Sequence, residues 1–304
     1  VKVGEALYDM ARAAGARSIF VVGTGKNVGK TVTMRAIYEA ACDAGVTAGM
    51  TSIGRDGEAV DAGDAQPKPR LFLRPGTALA TARNVLPDTP ASEILETTDV
   101  GTAAGRLVFA RVRSAAFYEL VGPPTASGVR ATVDRLLQYA GVTVVDGAID
   151  RVAALAGGDD AIVVACGASA AATVAEAADA IAALVKRLSI AAYDPAQPFV
   201  RVDGALTPAK SAALVAAREA RQVVVRDPTQ VALTGKAAAH ALTALDVRCE
   251  RPLRVIAATV ASIGRDHSFE PRAFARAVAA ATGVPTFDVY AGVRAALRQA
   301  QDKL

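Results

Sequence analysis

The segment Gly23-Thr-Gly-Lys-Asn-Val-Gly-Lys-Thr31 joins small residues to a terminal Lys-Thr pair, the composition of a backbone cradle for phosphate. Gly23, Gly25 and Gly29 let backbone N–H groups curl inward, with Thr24 standing where the Walker A pattern has its first glycine. Lys30 is placed to reach the β and γ phosphates of a nucleoside triphosphate, and the Thr31 hydroxyl to ligate Mg²⁺. Lys26, Asn27 and Val28 complete the loop. Lys26 either reaches a neighbouring subunit's phosphates across a homodimer or is solvated, and the solvated reading is favoured.

Such a loop needs an acidic partner at the end of a nearby strand to hold Mg²⁺. Val142-Thr-Val-Val-Asp146 supplies it, since Asp146 closes a β-branched run before Gly147. A second candidate is Asp56, in Ser52-Ile-Gly-Arg-Asp-Gly-Glu58, with Asp61 as a weaker one. Asp56 would complete the metal shell or position water, and Arg55 would grip phosphate or a substrate carboxylate. Lys30, Asp56 and Asp146 are the candidate catalytic residues. His240 and His267 form no triad or metal set, and Cys42, Cys166 and Cys249 show no CxxC, so all five read as structural.

These residues need strands and helices in a fixed order. Ser18 to Val22 is a short β-rich run entering the glycine loop, and Met34, Ile37, Tyr38 and Ala41 give the following segment one apolar helical face. Further strands are predicted at Val46–Ile53, Arg70–Leu73, Arg106–Arg111, Val142–Val145, Ala161–Ala165, Phe199–Val202, Gln222–Arg226, Arg254–Val260 and Thr286–Val289. Helical patterns at Ser127–Ala140, Ala171–Leu188, Pro208–Ala220 and Pro271–Ala281 separate most of them. The expected fold is α/β, a P-loop NTPase-like, doubly wound, mostly parallel sheet with a second, smaller α/β domain. Residues 1–190 form the nucleotide-binding domain and 199–304 the C-terminal one. Ala59 to Thr102, rich in Pro, Thr and Gly, is expected to be irregular. The strings Ser52-Ile-Gly-Arg-Asp56 and Ser262-Ile-Gly-Arg-Asp266 match without implying a tandem repeat.

The 304 residues are 52% hydrophobic but 5% aromatic without Trp, which suits Ala- and Val-rich strands and helices. A net charge of +4 without like-charge runs gives nucleic-acid binding no support. No stretch of about eighteen apolar residues suggests a membrane span. A cytoplasmic, reduced protein is expected.

Gly23-Thr-x-x-x-Val-Gly-Lys-Thr31 with Val145-Asp-Gly-Ala148 resembles the dethiobiotin synthetase and cobyrinic acid diamide synthase superfamily over roughly Ser18 to Leu188. There an acidic-Gly-Ala turn carries a magnesium ligand. The chain departs after the second strand, with Thr51 to Glu58 in place of a Lys-Pro-Val segment, which counts against ligase activity. A closer resemblance, over nearly the whole chain, is to the P-loop subunit of reactivating factors for adenosylcobalamin-dependent lysine 5,6-aminomutase. It rests on the loop with Asn27 and Gly29-Lys-Thr31, Thr51 to Glu58, Gly76-Thr77, Ala80-Thr-Ala82, Val145 to Arg151, Asp203-Gly-Ala-Leu206, Asp227-Pro-Thr229 and Phe287-Asp-Val289. The resemblance implies a Mg–ATP hydrolase working with a partner subunit on a cobalamin-dependent aminomutase. A ligase or kinase of a small carboxylic acid, and a nucleotide-binding regulator without turnover, stay open as alternatives. The absence of an Asn-Lys-x-Asp segment favours ATP over GTP.

Overall fold

β1 (Ser18–Gly23) is buried at every position, as its apolar run between a serine and a glycine requires of an interior strand. The structure, a computed structural model, describes residues 2–54, 70–87, 90–147, 160–217, 221–233 and 235–295. The chain divides into two units, one of Val1–Val22, Lys30–Ala154 and Asp159–Ala161, the other of Gly23–Gly29, Leu155–Gly158 and Ile162–Leu304. The fold is α/β, with a large, mostly parallel mixed sheet of ten strands.

In the first unit the strand order is β1, β8 (Val142–Asp146), β2 (Ala48–Ser52), β4 (Ala78–Ala82), β6 (Gly105–Val112), β5 (Ser92–Thr102). The pairs from β1 to β4 are parallel, and β6 and β5 add an antiparallel edge. β3 (Leu71–Leu73) and β7 (Ala116–Tyr118) make a separate antiparallel ribbon. The helices α1 (Val3–Ala13), α2 (Lys30–Asp43) and α3 (Ala126–Leu136) follow the apolar periodicity of their sequences. α1 packs on α2 closely enough that a Cβ on Gly4 would lie 2.1 Å from the Ala36 carbonyl oxygen.

The strand predicted at Arg70–Leu73 is β3, but the irregular stretch expected over Ala59 to Thr102 needs correction where its described parts hold β4 and β5. β4 reads Ala-Leu-Ala-Thr-Ala, a composition without β preference, yet all five residues are buried between β2 and β6. Burial by neighbours overrides local propensity there.

In the second unit the order is β9 (Asp160–Gly167), β13 (Arg254–Ala261), β14 (Thr286–Asp288), β15 (Arg294–Ala295). α4 (Val174–Leu188) packs on α7 (Pro271–Thr282). A smaller parallel sheet joins β10 (Phe199–Arg201), β11 (Gln222–Val225) and β12 (Asp246–Cys249), accompanied by α5 (Pro208–Ala217) and α6 (Gly235–Ala244). Its core gathers Leu206, Val223, Val225, Leu233 and Cys249. The chain then returns to the large sheet at β13. Among the described residues no helix is long and apolar enough to cross a membrane.

Candidate phosphate-binding site

β1 delivers the chain to Gly23, and the next N–H, that of Thr24, donates to the Ala165 carbonyl at 2.9 Å. Asn27 has φ 56°, the only non-glycine with positive φ among the described residues, and Gly29 has φ 86°. Left-handed residues on either side of Val28 coil the backbone into the kind of turn whose N–H groups converge on an anion. Val28 is buried, while Lys26 and Asn27 are exposed. An asparagine tolerates the left-handed region because its short polar side chain bonds locally, so the sequence meets this geometry without a glycine.

Small residues surround the loop within the second unit. A Cβ on Gly25 would meet the Ala170 Cβ at 3.2 Å, and one on Gly29 the Ala261 Cβ at 2.9 Å. A Cβ on Gly167 would lie 2.9 Å from the Val28 Cα. The ends of β9 and β13 therefore back the loop at backbone distance, and any larger residue would push it out of shape.

α2 starts at Lys30, within the first unit, and its first turn holds no acidic residue. α1 and α4 carry Glu5 and Glu176 in their first turns, and α7 is capped by the Glu270 carboxylate. The α2 N-terminus keeps its partial positive charge, with Lys30 and Thr31 half-buried beside it. Asp146 ends β8 in register with Val21 of β1 and Ser52 of β2. The chain turns back immediately: Gly147 N–H donates to the Val21 carbonyl at 2.9 Å, and a Cβ there would meet Val22 Cγ1 at 2.8 Å. Strand register thus sets Asp146 level with Val21 and with Ser52 at the end of β2.

Sequence reasoning missed a strap, Glu119 to Pro123, that crosses the ends of β4 and β2. Thr81 Oγ1 donates to the Glu119 carbonyl and accepts from Val121 N–H, both at 2.9 Å. Ser52 Oγ donates to the Leu120 carbonyl at 2.9 Å and accepts from Gly122 N–H at 3.2 Å. A Cβ on Gly122 would stand 1.7 Å from the Ser52 carbonyl oxygen, and one on Gly54 2.3 Å from the Gly122 oxygen. The signal available beforehand was Gly122-Pro-Pro124, a chain-breaking triplet after an apolar residue. The strap fixes where the chain leaves β2. Arg55, Asp56, Glu58 and Asp61 follow directly and lie outside the described residues.

No protein-family model, curated protein or solved structure matches the chain.

The glycines of the repeated Ser-Ile-Gly-Arg-Asp strings both stand close to backbone. Each follows a strand, and each glycine faces backbone: Gly264 would meet the His267 carbonyl oxygen at 2.5 Å, as Gly54 would meet Gly122. The loop after β13 is tied to the one after β9, with Arg265 N–H donating to Ser169 Oγ at 3.2 Å and His267 Nε2 3.0 Å from the Ala171 carbonyl. Asp227 is buried and serves its own turn, accepting from Thr229 N–H at 3.0 Å and pairing with Arg226 Nε at 2.9 Å. Asp203 and Asp266 are exposed, and among the described residues no three His, Cys, Asp or Glu side chains group as a metal site. Cys166 and Cys249 are buried. Burial pushes the Cys166 thiol up to about 12.

Proposed function

We propose that the chain binds Mg–ATP on the loop Gly23 to Thr31 and hydrolyses it, as a P-loop NTPase. The observation that carries this reading is the pair of left-handed residues, Asn27 and Gly29, leading directly into a helix with no first-turn carboxylate. Phosphate would lie on the loop's N–H groups and the α2 N-terminus, with the Lys30 ammonium compensating its charge. Magnesium, when bound, would neutralise charge developing on the transferred phosphoryl group; Thr31 and Asp146 would hold it, with Asp56, outside the described residues, as the further candidate. A site of few protein oxygens completed by phosphate suits this ion, which is seldom held by an all-protein cage.

We propose further that hydrolysis powers the reactivation of an adenosylcobalamin-dependent aminomutase together with a second subunit, in a cytoplasmic setting. The support for this step is the residue resemblance from Asn27 through Phe287-Asp-Val289. The test is phosphate release from Mg–ATP and Mg–GTP by wild type and Lys30→Ala, with and without an inactivated aminomutase and candidate partner. Hydrolysis stimulated by the aminomutase and absent in the variant is the expected result. Turnover that appears only with a small carboxylic acid would replace the reactivase with a ligase or kinase.

A further inference from the structure

We propose that a groove of about 500 Å³ in the second unit, lined by Arg272, Arg276 and Arg294, binds a small soluble anion bearing phosphate groups. Arg272 and Arg276 stand one turn apart on α7, and Arg294 faces the same space from β15, with the Ala291-Gly292-Val293 turn completing the wall. Like charges at this helical spacing repel, and an anion seated among the three guanidinium groups would relieve that repulsion. Among the described residues none of the three makes an ion pair of 4.0 Å or less.

The charges of Arg276 and Arg272 are felt by the Glu270 carboxylate, but it makes no ion pair of 4.0 Å or less with either, and its oxygens are spent on the helix cap. It accepts from Arg272 N–H at 2.9 Å and Ala273 N–H at 2.6 Å as the cap of α7. Arg276 uses only Nε internally, donating to the Arg272 carbonyl at 3.3 Å. The Arg294 guanidinium lies 5.6 Å from the centre of the Phe287 ring, a contact that orients its plane and leaves its N–H donors unspent. Planar forks presented this way match phosphate oxygens in pairs. The volume is that of a small-molecule site. This groove is separate from the loop at Gly23 to Thr31 and does not depend on the activity proposed for it. Within the second unit, Val289, two residues before the lining, is what a Cβ on Gly29 would meet at 3.4 Å.

Inorganic pyrophosphate is the probe. Its binding to the full chain is measured by calorimetry for wild type, Lys30→Ala, and Lys30→Ala carrying Arg276→Gln and Arg294→Gln. Both arginines are exposed, and matching thermal unfolding confirms that the variants fold. Binding should survive Lys30→Ala and weaken about ten-fold or more when the arginines are removed. Flotation with vesicles containing a phosphoinositide distinguishes the source: arginine-dependent flotation would overturn the soluble ligand in favour of a lipid headgroup. Loss of all binding with Lys30→Ala alone, an isotherm indifferent to the arginine substitutions, or no binding by wild type would overturn the proposal outright.

Discussion

Gly29 stands against Ala261 so closely that a Cβ on it would lie 2.9 Å from the alanine Cβ, at a residue with φ 86°. Gly29→Ala therefore meets two obstacles, a contact and a left-handed backbone, the second alone costing about 1–2 kcal/mol. Thermal unfolding should show that loss, and Mg–ATP affinity should fall as the loop distorts. Adding Ala261→Gly relieves the contact but not the backbone, so the double variant should recover only part of both.

The Tyr38 hydroxyl accepts from Arg74 N–H at 2.7 Å and lies 2.8 Å from Thr77 Oγ1, whose own proton goes to the Arg74 carbonyl. Tyr38→Phe leaves a part-buried donor and a buried acceptor unmet and should cost about 1–3 kcal/mol in urea unfolding. Phosphate release should be unchanged, because the hydroxyl supports the chain before β4 and has no part in the loop. A matching loss of activity in the folded variant would contradict that separation.

All three thiols are raised by burial, Cys249 to about 11 and Cys166 to about 12, and Cys42 is the only one not fully buried. Because the thiolate is the reactive form, iodoacetamide at pH 8 should label native protein slowly and at Cys42 first. Cys166 and Cys249 should react only on unfolding. Peptide mass mapping checks the order, and early labelling of Cys166 would contradict its place in β9.

The Glu270 carboxyl sits below its ordinary 4.5, chiefly because it accepts two N–H groups at the start of α7, with Arg276 and Arg272 adding to the effect. A folded value below the unfolded one means the stabilisation is complete above 4.5 and disappears as pH falls through the lower folded value. Glu270→Gln should thus lower the melting temperature at pH 7 and converge with wild type in acid. Equal differences at pH 7 and in acid would refute the carboxylate's role.

What could be read from sequence depended on how locally each feature is encoded. Ser18 to Gly23 and Val142 to Asp146 are β-branched runs closed by glycine or an acidic turn, so both strands and where they end were legible. β4 was not, because alanines become strand only through the neighbours that bury them. β5 is largely exposed, and its pairing with β6 shifts register between Ile94 and Glu96 and again between Thr97 and Gly101, which blurs any alternation. The backing of the loop by Ala170 and Ala261 was equally hidden. Those alanines lie far along the chain from Gly25 and Gly29, and only the fold makes their small size matter.

In the proposed function Lys30, at the start of α2, compensates bound phosphate. Equilibrium binding of Mg–ATP to folded wild type and to folded Lys30→Ala tests it most directly. Loss of a charge-assisted contact should weaken binding roughly ten- to hundred-fold with little change in melting temperature. Equal affinity in the two proteins would contradict the account and place any nucleotide elsewhere on the molecule.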